Sequence, residues 1–222
     1  MRIIGWSGRM LVGLLLGAGL LAIGCSHQLR ITNADEYFSR PTPPLREPLK
    51  VGIVSQSTAH RQNGRYVEAI VDALRNTGSF DKVLYPYDPA THGDLVNLIV
   101  DIAVEPKYSG RGTNFWINWP GFLIFAPAIW GYGYQAEVNT RVSVTKKPDG
   151  GSEMIQASPV YRFRQAEIDR TWTEIGWFEV GMIPLIGGVA FIQYDPDVTD
   201  RFITEVSSNY GALIASKIVA AL

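Results

Sequence analysis

From Phe115 to Tyr134 the chain runs for twenty residues without a charged side chain, and three of its six tryptophans, Trp116, Trp119 and Trp130, fall there. A free monomer rarely leaves so large an apolar stretch in water, so something must cover it. The run is also barred from the usual membrane solutions. It does not alternate, and Pro120 and Pro127 remove ladder donors, which argues against the strands of about ten in-out residues that build a membrane barrel. The same prolines, with several glycines, break a spanning helix. Tryptophan and tyrosine beside glycine and proline suit the headgroup layer, where an apolar body and a polar tip are both satisfied. Three fates are therefore open: a second small core folded onto the rest of the protein, contact with a membrane interface, or contact with another subunit. The candidate contact residues are Trp116, Trp119, Phe122, Leu123, Phe125 and Trp130. Trp177 joins them from a second apolar segment, 177–194, whose only charge is Glu179.

The sequence around these segments has clear periodicity. Leu98, Val100, Ile102 and Val104 alternate with Ile99, Asp101, Ala103 and Glu105, as Ala136, Val138, Val142 and Val144 do with more polar neighbours, so both stretches are strands with one buried face. They are expected as antiparallel neighbours. Leu49–Ser55 and Phe80–Tyr85 read as short strands either side of a helix over 63–77, whose Tyr66, Val67, Ile70, Val71 and Leu74 share one face and which Gly78 ends. Residues 147–151 (Lys-Pro-Asp-Gly-Gly) are turn chemistry, and 153–167 returns as a strand in which Pro159 requires an edge or a bulge. Phe202, Val206, Tyr210, Leu213, Ile214 and Ile218 mark a closing helix over 198–222, with Asp197 or Thr199 as its cap. The fold class is α/β (α+β): one small domain with a mixed, mostly antiparallel sheet and two main helices on one face.

The N-terminus has a different character. Arg2 and Arg9 precede an uncharged apolar run from Met10 to Ile23, too short for a comfortable span and flanked like a secretory signal. It ends in Leu21-Ala22-Ile23-Gly24-Cys25, which resembles the bacterial lipobox, where small residues precede a cysteine that is acylated and becomes the mature N-terminus. Ala22 stands where leucine is commoner. Cys25 is the only cysteine, so no internal disulfide is possible, and lipidation accounts for its presence in an exported chain. The resemblance implies a signal peptide at 1–24, a palmitate-bearing lipoprotein tether at 25–47 and a periplasm-facing domain at 48–222. Ser26, where aspartate would favour inner-membrane retention, points to the outer membrane. Asn33, Pro41, Pro43, Pro44 and Pro48 make the tether read as extended chain.

The element order also resembles the small α/β domain of several bacterial envelope lipoproteins. These are the curli-secretion and Pel-export lipoproteins, the lipoprotein activators of penicillin-binding proteins, and the N-terminal domain of the Tol-Pal propeller protein. What that resemblance implies is an accessory or assembly role in an envelope complex, with the oligomeric export or secretion subunit as one form of it. A regulator of a periplasmic peptidoglycan enzyme and an envelope hydrolase are the alternatives.

Catalytic and metal-binding patterns are absent from the sequence. His27, His60 and His92 lack partners at metal-ligand spacing, so no metal or other cofactor is expected. Ser55, Ser57 and His60 sit in no nucleophile frame, and Asp195, Asp197 and Asp200 lack a calcium-loop frame and precede a helix, where acids are at home. Asp169 and Glu174 read as solvated loop carboxylates, since sequence alone gives no spatial separation from which to assign an acid/base pair. The formal charge of −1 gives no nucleic-acid footprint. The expectation is a non-enzyme held to the membrane by lipid on Cys25, with self-association or an envelope protein as partner. Replacing Cys25 with serine is expected to leave an unlipidated precursor. Incorporation of radiolabelled palmitate at the wild-type level in that variant contradicts the assignment.

Overall fold

The structure, a computed structural model, describes residues 29–37, 45, 47–57, 60–93, 95–118, 130–147, 150–166 and 192–222. Its seven strands are β1 (Leu29–Ile31), β2 (Leu49–Val54), β3 (Phe80–Leu84), β4 (Leu98–Gly110), β5 (Tyr132–Lys146), β6 (Ser152–Ala157) and β7 (Val160–Gln165). The helices are α1 (Arg61–Asn76), α2 (Pro89–His92), α3 (Asn114–Asn118) and α4 (Thr199–Ala220), with 3-10 turns at Ala34–Tyr37 and Pro196–Val198. The described residues fall into two compact units. One draws on 31–109, 135–163 and 195–222, the other on 29–30, 110–118, 130–134, 164–166 and 192–194.

The strands form one sheet in the order β1-β7-β5-β4-β2-β3, with β6 also paired to β5. Strand β2 runs parallel to both neighbours, Val51 standing opposite Val83 of β3 and Leu98 of β4. The β2-α1-β3 unit makes this parallel corner, because a crossover helix returns the chain in the same direction. The rest is mostly antiparallel. Lys147 donates its amide to the Asn97 carbonyl at 2.8 Å at one end of the β4–β5 pair and Arg111 to Gly133 at 3.0 Å at the other, which only opposed strands allow. Strand β5 then pairs antiparallel with β6, from Thr140 opposite Ala157 to Thr145 opposite Ser152. The expected single strand over 153–167 is two strands, because Pro159 has no amide to donate; its carbonyl still accepts from Val138 at 3.0 Å.

The periodicities translate directly into burial. Leu98, Val100, Ile102 and Val104 of β4, Ala136, Val138, Val142 and Val144 of β5, and Tyr161 and Phe163 of β7 are all buried. Helix α1 covers them with the predicted face, Tyr66, Val67, Ile70, Val71 and Leu74, and α4 with Phe202, Ile203, Val206, Tyr210, Ile214 and Ile218. Each buried Val, Leu, Ile or Phe among them contributes roughly 1.5–3 kcal/mol relative to exposure. Phe202 stacks on Phe163 at 4.4 Å between centroids and meets Tyr108 and Tyr161 edge-on, while Tyr66 meets Tyr210 at 5.1 Å. The tyrosine hydroxyls are committed inside this core: Tyr66 to Tyr108 at 2.9 Å, Tyr210 to Thr140 at 2.7 Å. Burial pushes Tyr210, Tyr161 and Tyr108 above the ordinary tyrosine range, so they stay neutral. Tyr161 differs in that its buried hydroxyl has no partner among the described residues.

Two local expectations are corrected. Helix α4 has neither Asp197 nor Thr199 as cap. Val198 occupies that position, and Asp195 caps the preceding 3-10 turn by accepting from the Asp197 amide at 2.9 Å, so the turn does the work of a cap. Residues 29–37, read as tether from their composition, are instead part of the sheet edge. Asn33 binds β7 as a second strand would, donating to the Val160 carbonyl at 2.8 Å and accepting from the Arg162 amide at 2.7 Å. Tyr37 adds an accepted bond from the Val160 amide at 2.9 Å.

The approach of α4 to α1 is closest at Gly211. A Cβ there would overlap the Ala69 carbonyl oxygen and lie 2.7 Å from its carbon. Alanine gains up to about 1 kcal/mol of helix propensity over glycine, but overpacking of this kind costs typically 1–3 kcal/mol. Gly211→Ala is therefore expected to lower the urea midpoint, by a net loss of up to about 2 kcal/mol. An unchanged or higher midpoint contradicts the close approach.

Candidate functional site

Of the eight residues that the sequence puts forward, the described residues include Trp116 and Trp130. Cys25, Trp119, Phe122, Leu123, Phe125 and Trp177 lie outside them. Trp116 sits on α3 and Trp130 two residues before β5, and they are 65% and 54% exposed, the two large aromatics most accessible among the described hydrophobics. Phe115 meets Trp116 edge-on at 5.2 Å.

The backbone presenting these tryptophans is tightly fixed. Asn114, fully buried at the start of α3, accepts from the Gly133 amide at 2.7 Å and donates to its carbonyl at 2.9 Å. Its side-chain amide thereby reproduces the pairing of one strand residue at the start of β5. The Gly133 carbonyl also accepts from the Arg111 amide. Gly131, next to Trp130, has φ 67°, and a Cβ there would lie 2.8 Å from the Gln165 carbonyl oxygen, so only glycine suits the position. Tyr134 packs edge-on against Tyr194 at 5.4 Å. Sequence reasoning identified the aromatics but not Asn114, since an asparagine beside a loop reads as turn chemistry.

The polar residues with catalytic potential are placed in structural roles. Ser55 donates to the Ile102 carbonyl at 2.6 Å, and Ser57 accepts from the Val104 amide at 2.8 Å, prolonging the β2–β4 ladder. His60 occupies the N-cap position of α1 without a side-chain bond, and His92 stacks on Tyr87 with Nδ1 accepting from the Asp88 amide at 3.0 Å. Asp88 caps α2 through Ala90 and Thr91, and those hydrogen bonds hold its carboxyl below the usual range. Asp200 pairs with Arg65 at 3.1 Å. Among the described residues no three metal-ligating side chains come together. No described helix is long and apolar enough to cross a membrane. His27, Asp169 and Glu174 lie outside the described residues.

A feature the sequence did not announce is a polar groove of about 240 Å³ on the sheet face away from α1 and α4, lined by Glu105, Lys107, Glu137, Asn139, Arg141 and Gln156 among others. Alternation along β4 and β5 puts Glu105, Lys107, Glu137, Asn139 and Arg141 there, β6 adds Gln156, and the signal was present as the polar half of each alternating strand.

No protein-family model matches the chain, and no curated protein matches it. Among solved structures, it is similar to the PelC dodecamer from Paraburkholderia phytofirmans at 13% identity and TM-score 0.33. It is similar to a single-substitution variant of that dodecamer at 14% and 0.32, each likeness covering 84% of this chain and 99% of the other. The Pel name agrees with one of the resemblances drawn from element order, but at these values the likeness carries no argument about fold, assembly or activity.

Asn114→Ala is expected to leave the Gly133 amide and carbonyl without their side-chain partner in a buried setting, at about 1–3 kcal/mol. Hydrogen exchange at Gly133 and Tyr134 is the measurement. Wild-type protection in the variant contradicts the anchoring role.

Proposed function

We propose that this protein is a lipid-anchored, non-enzymatic accessory component of a bacterial cell-envelope complex, working at the outer membrane as a self-associating subunit of an export or secretion assembly. The observation that carries the reading is the presentation of Trp116 and Trp130, exposed and on fixed backbone, at either end of a segment with no charged residue. Water is a poor environment for such a surface, and tryptophan anchors are the residues that contribute most where partners meet. The lipobox-like run ending in Cys25 supports the anchor.

Over a regulator that reaches across the periplasm, this reading is favoured by the start of β1 at Leu29, four residues after Cys25. Full use of the tether expected over 25–47 would require undoing the Asn33 and Tyr37 bonds to β7.

The test is the native mass of the lipidated protein extracted in mild detergent. A species larger than the monomer, or a co-purifying envelope protein, is expected. Trp116→Ser with Trp130→Ser is expected to reduce that mass to the monomer while the circular-dichroism melt is retained. A strictly monomeric wild-type protein with no companion overturns the proposal. An unfolded double variant would instead assign these tryptophans to the core.

A further inference from the structure

The edge of the sheet nearest to Cys25 in the chain carries a pair of arginines. Thr32 donates its amide to the Arg162 carbonyl at 2.8 Å, and Asn33, one residue on, reaches back to Val160. The partner number falls as the chain advances, so β1 and β7 run in opposite directions. Two residues back along β1 and two forward along β7, Arg30 stands across the ladder from Arg164, and both are exposed. Like charges directly opposite on paired strands repel. Neither guanidinium has a hydrogen bond or ion pair to another described residue. Of the two acids on the adjoining 3-10 turn, Glu36 is engaged by the Asn33 side chain at 3.0 Å, and Asp35 is exposed with no ion pair to either arginine among the described residues. The pair is thus a local concentration of positive charge on a chain whose formal net charge is −1.

The position of this pair is what gives it meaning. Arg30 lies five residues after Cys25, so extended chain separates it from the acylated residue by at most about 18 Å, near two Debye lengths at physiological salt. Any lipid on Cys25 keeps Arg30 within that chain length of the bilayer, and since charges more than a Debye length apart are largely screened, the arginines act by direct contact with headgroups and not through a long-range field. Guanidinium groups match phosphate oxygens bidentately, with five fixed donors each.

We infer that Arg30 and Arg164 form a phosphate-binding pair that seats this sheet edge on the lipid headgroups of the leaflet to which Cys25 is anchored. The headgroup phosphate neutralises the opposed guanidiniums, and the bond gives β1 and β7 a fixed orientation toward the membrane. The inference rests on lipidation of Cys25, but not on the assembly proposed above.

The experiment uses the full lipidated protein in vesicles of phosphatidylglycerol, in vesicles of phosphate-free digalactosyldiacylglycerol, and in dodecyl maltoside micelles. Phenylglyoxal labelling of Arg30 and Arg164 is read by mass spectrometry. Both are expected to be protected severalfold in phosphatidylglycerol relative to the other two, less so in high salt, and Arg30→Gln is expected to reduce the protection of Arg164. Equal labelling in the two kinds of vesicle overturns the inference. So does equal protection by inorganic phosphate in micelles, which would make this a free-anion site. Palmitate labelling of the same preparation reads the state of Cys25 separately, so loss of the anchor is distinguished from failure of the arginine contact.

Discussion

The packing of α4 onto α1 is the constraint on which the larger unit depends. At Gly211 the helix backbone comes so near to Ala69 that a single methyl group is excluded, and this approach brings Tyr66 against Tyr210 and aligns Phe202 with Phe163, Tyr161 and Tyr108. Tyr210 reaches Thr140 on β5, and Tyr66 reaches Tyr108 on β4, so one polar bond sets the position of each helix above its strand. Apolar area supplies the gross stabilisation and the hydroxyls supply direction, because a buried hydroxyl left without a partner costs more than a made bond gains.

Two asparagines do comparable work where strands run out. Asn33 completes the edge of β7, and Asn114 completes the start of β5, each by donating to one backbone carbonyl and accepting from one amide. A side-chain amide has the same donor and acceptor geometry as a peptide unit, so it can end a ladder without orphaned groups. What each asparagine holds is a segment that matters for the proposed role: β1 close in sequence to Cys25, and the short helix bearing Trp116.

The fold was legible where a period persists. Val100, Ile102 and Val104 on β4, and Ile70, Val71 and Leu74 on α1, declare their buried faces because one side of each element meets the core along its whole length. Strand β1 escaped notice because Leu-Arg-Ile is too short to show alternation and sits among residues that otherwise read as linker. The division of 153–167 into two strands turned on where Pro159 falls in the ladder, which its presence alone signals but does not resolve. The capping of α4 was misread because a 3-10 turn, with Asp195 as its own cap, stands where a single residue was expected.

The sequence by itself determined the α+β class, the buried faces, the apolar uncharged segment with its tryptophans, and the candidate lipid attachment at Cys25, since each is a property of residues near one another in the chain. Only the tertiary structure decided that residues 29–37 join the sheet, that Asn114 anchors the start of α3, and that Arg30 faces Arg164. Those relations join residues up to 134 positions apart in sequence. Hydrogen bonding and charge repulsion act through space, and no local pattern records which distant strand a residue will meet.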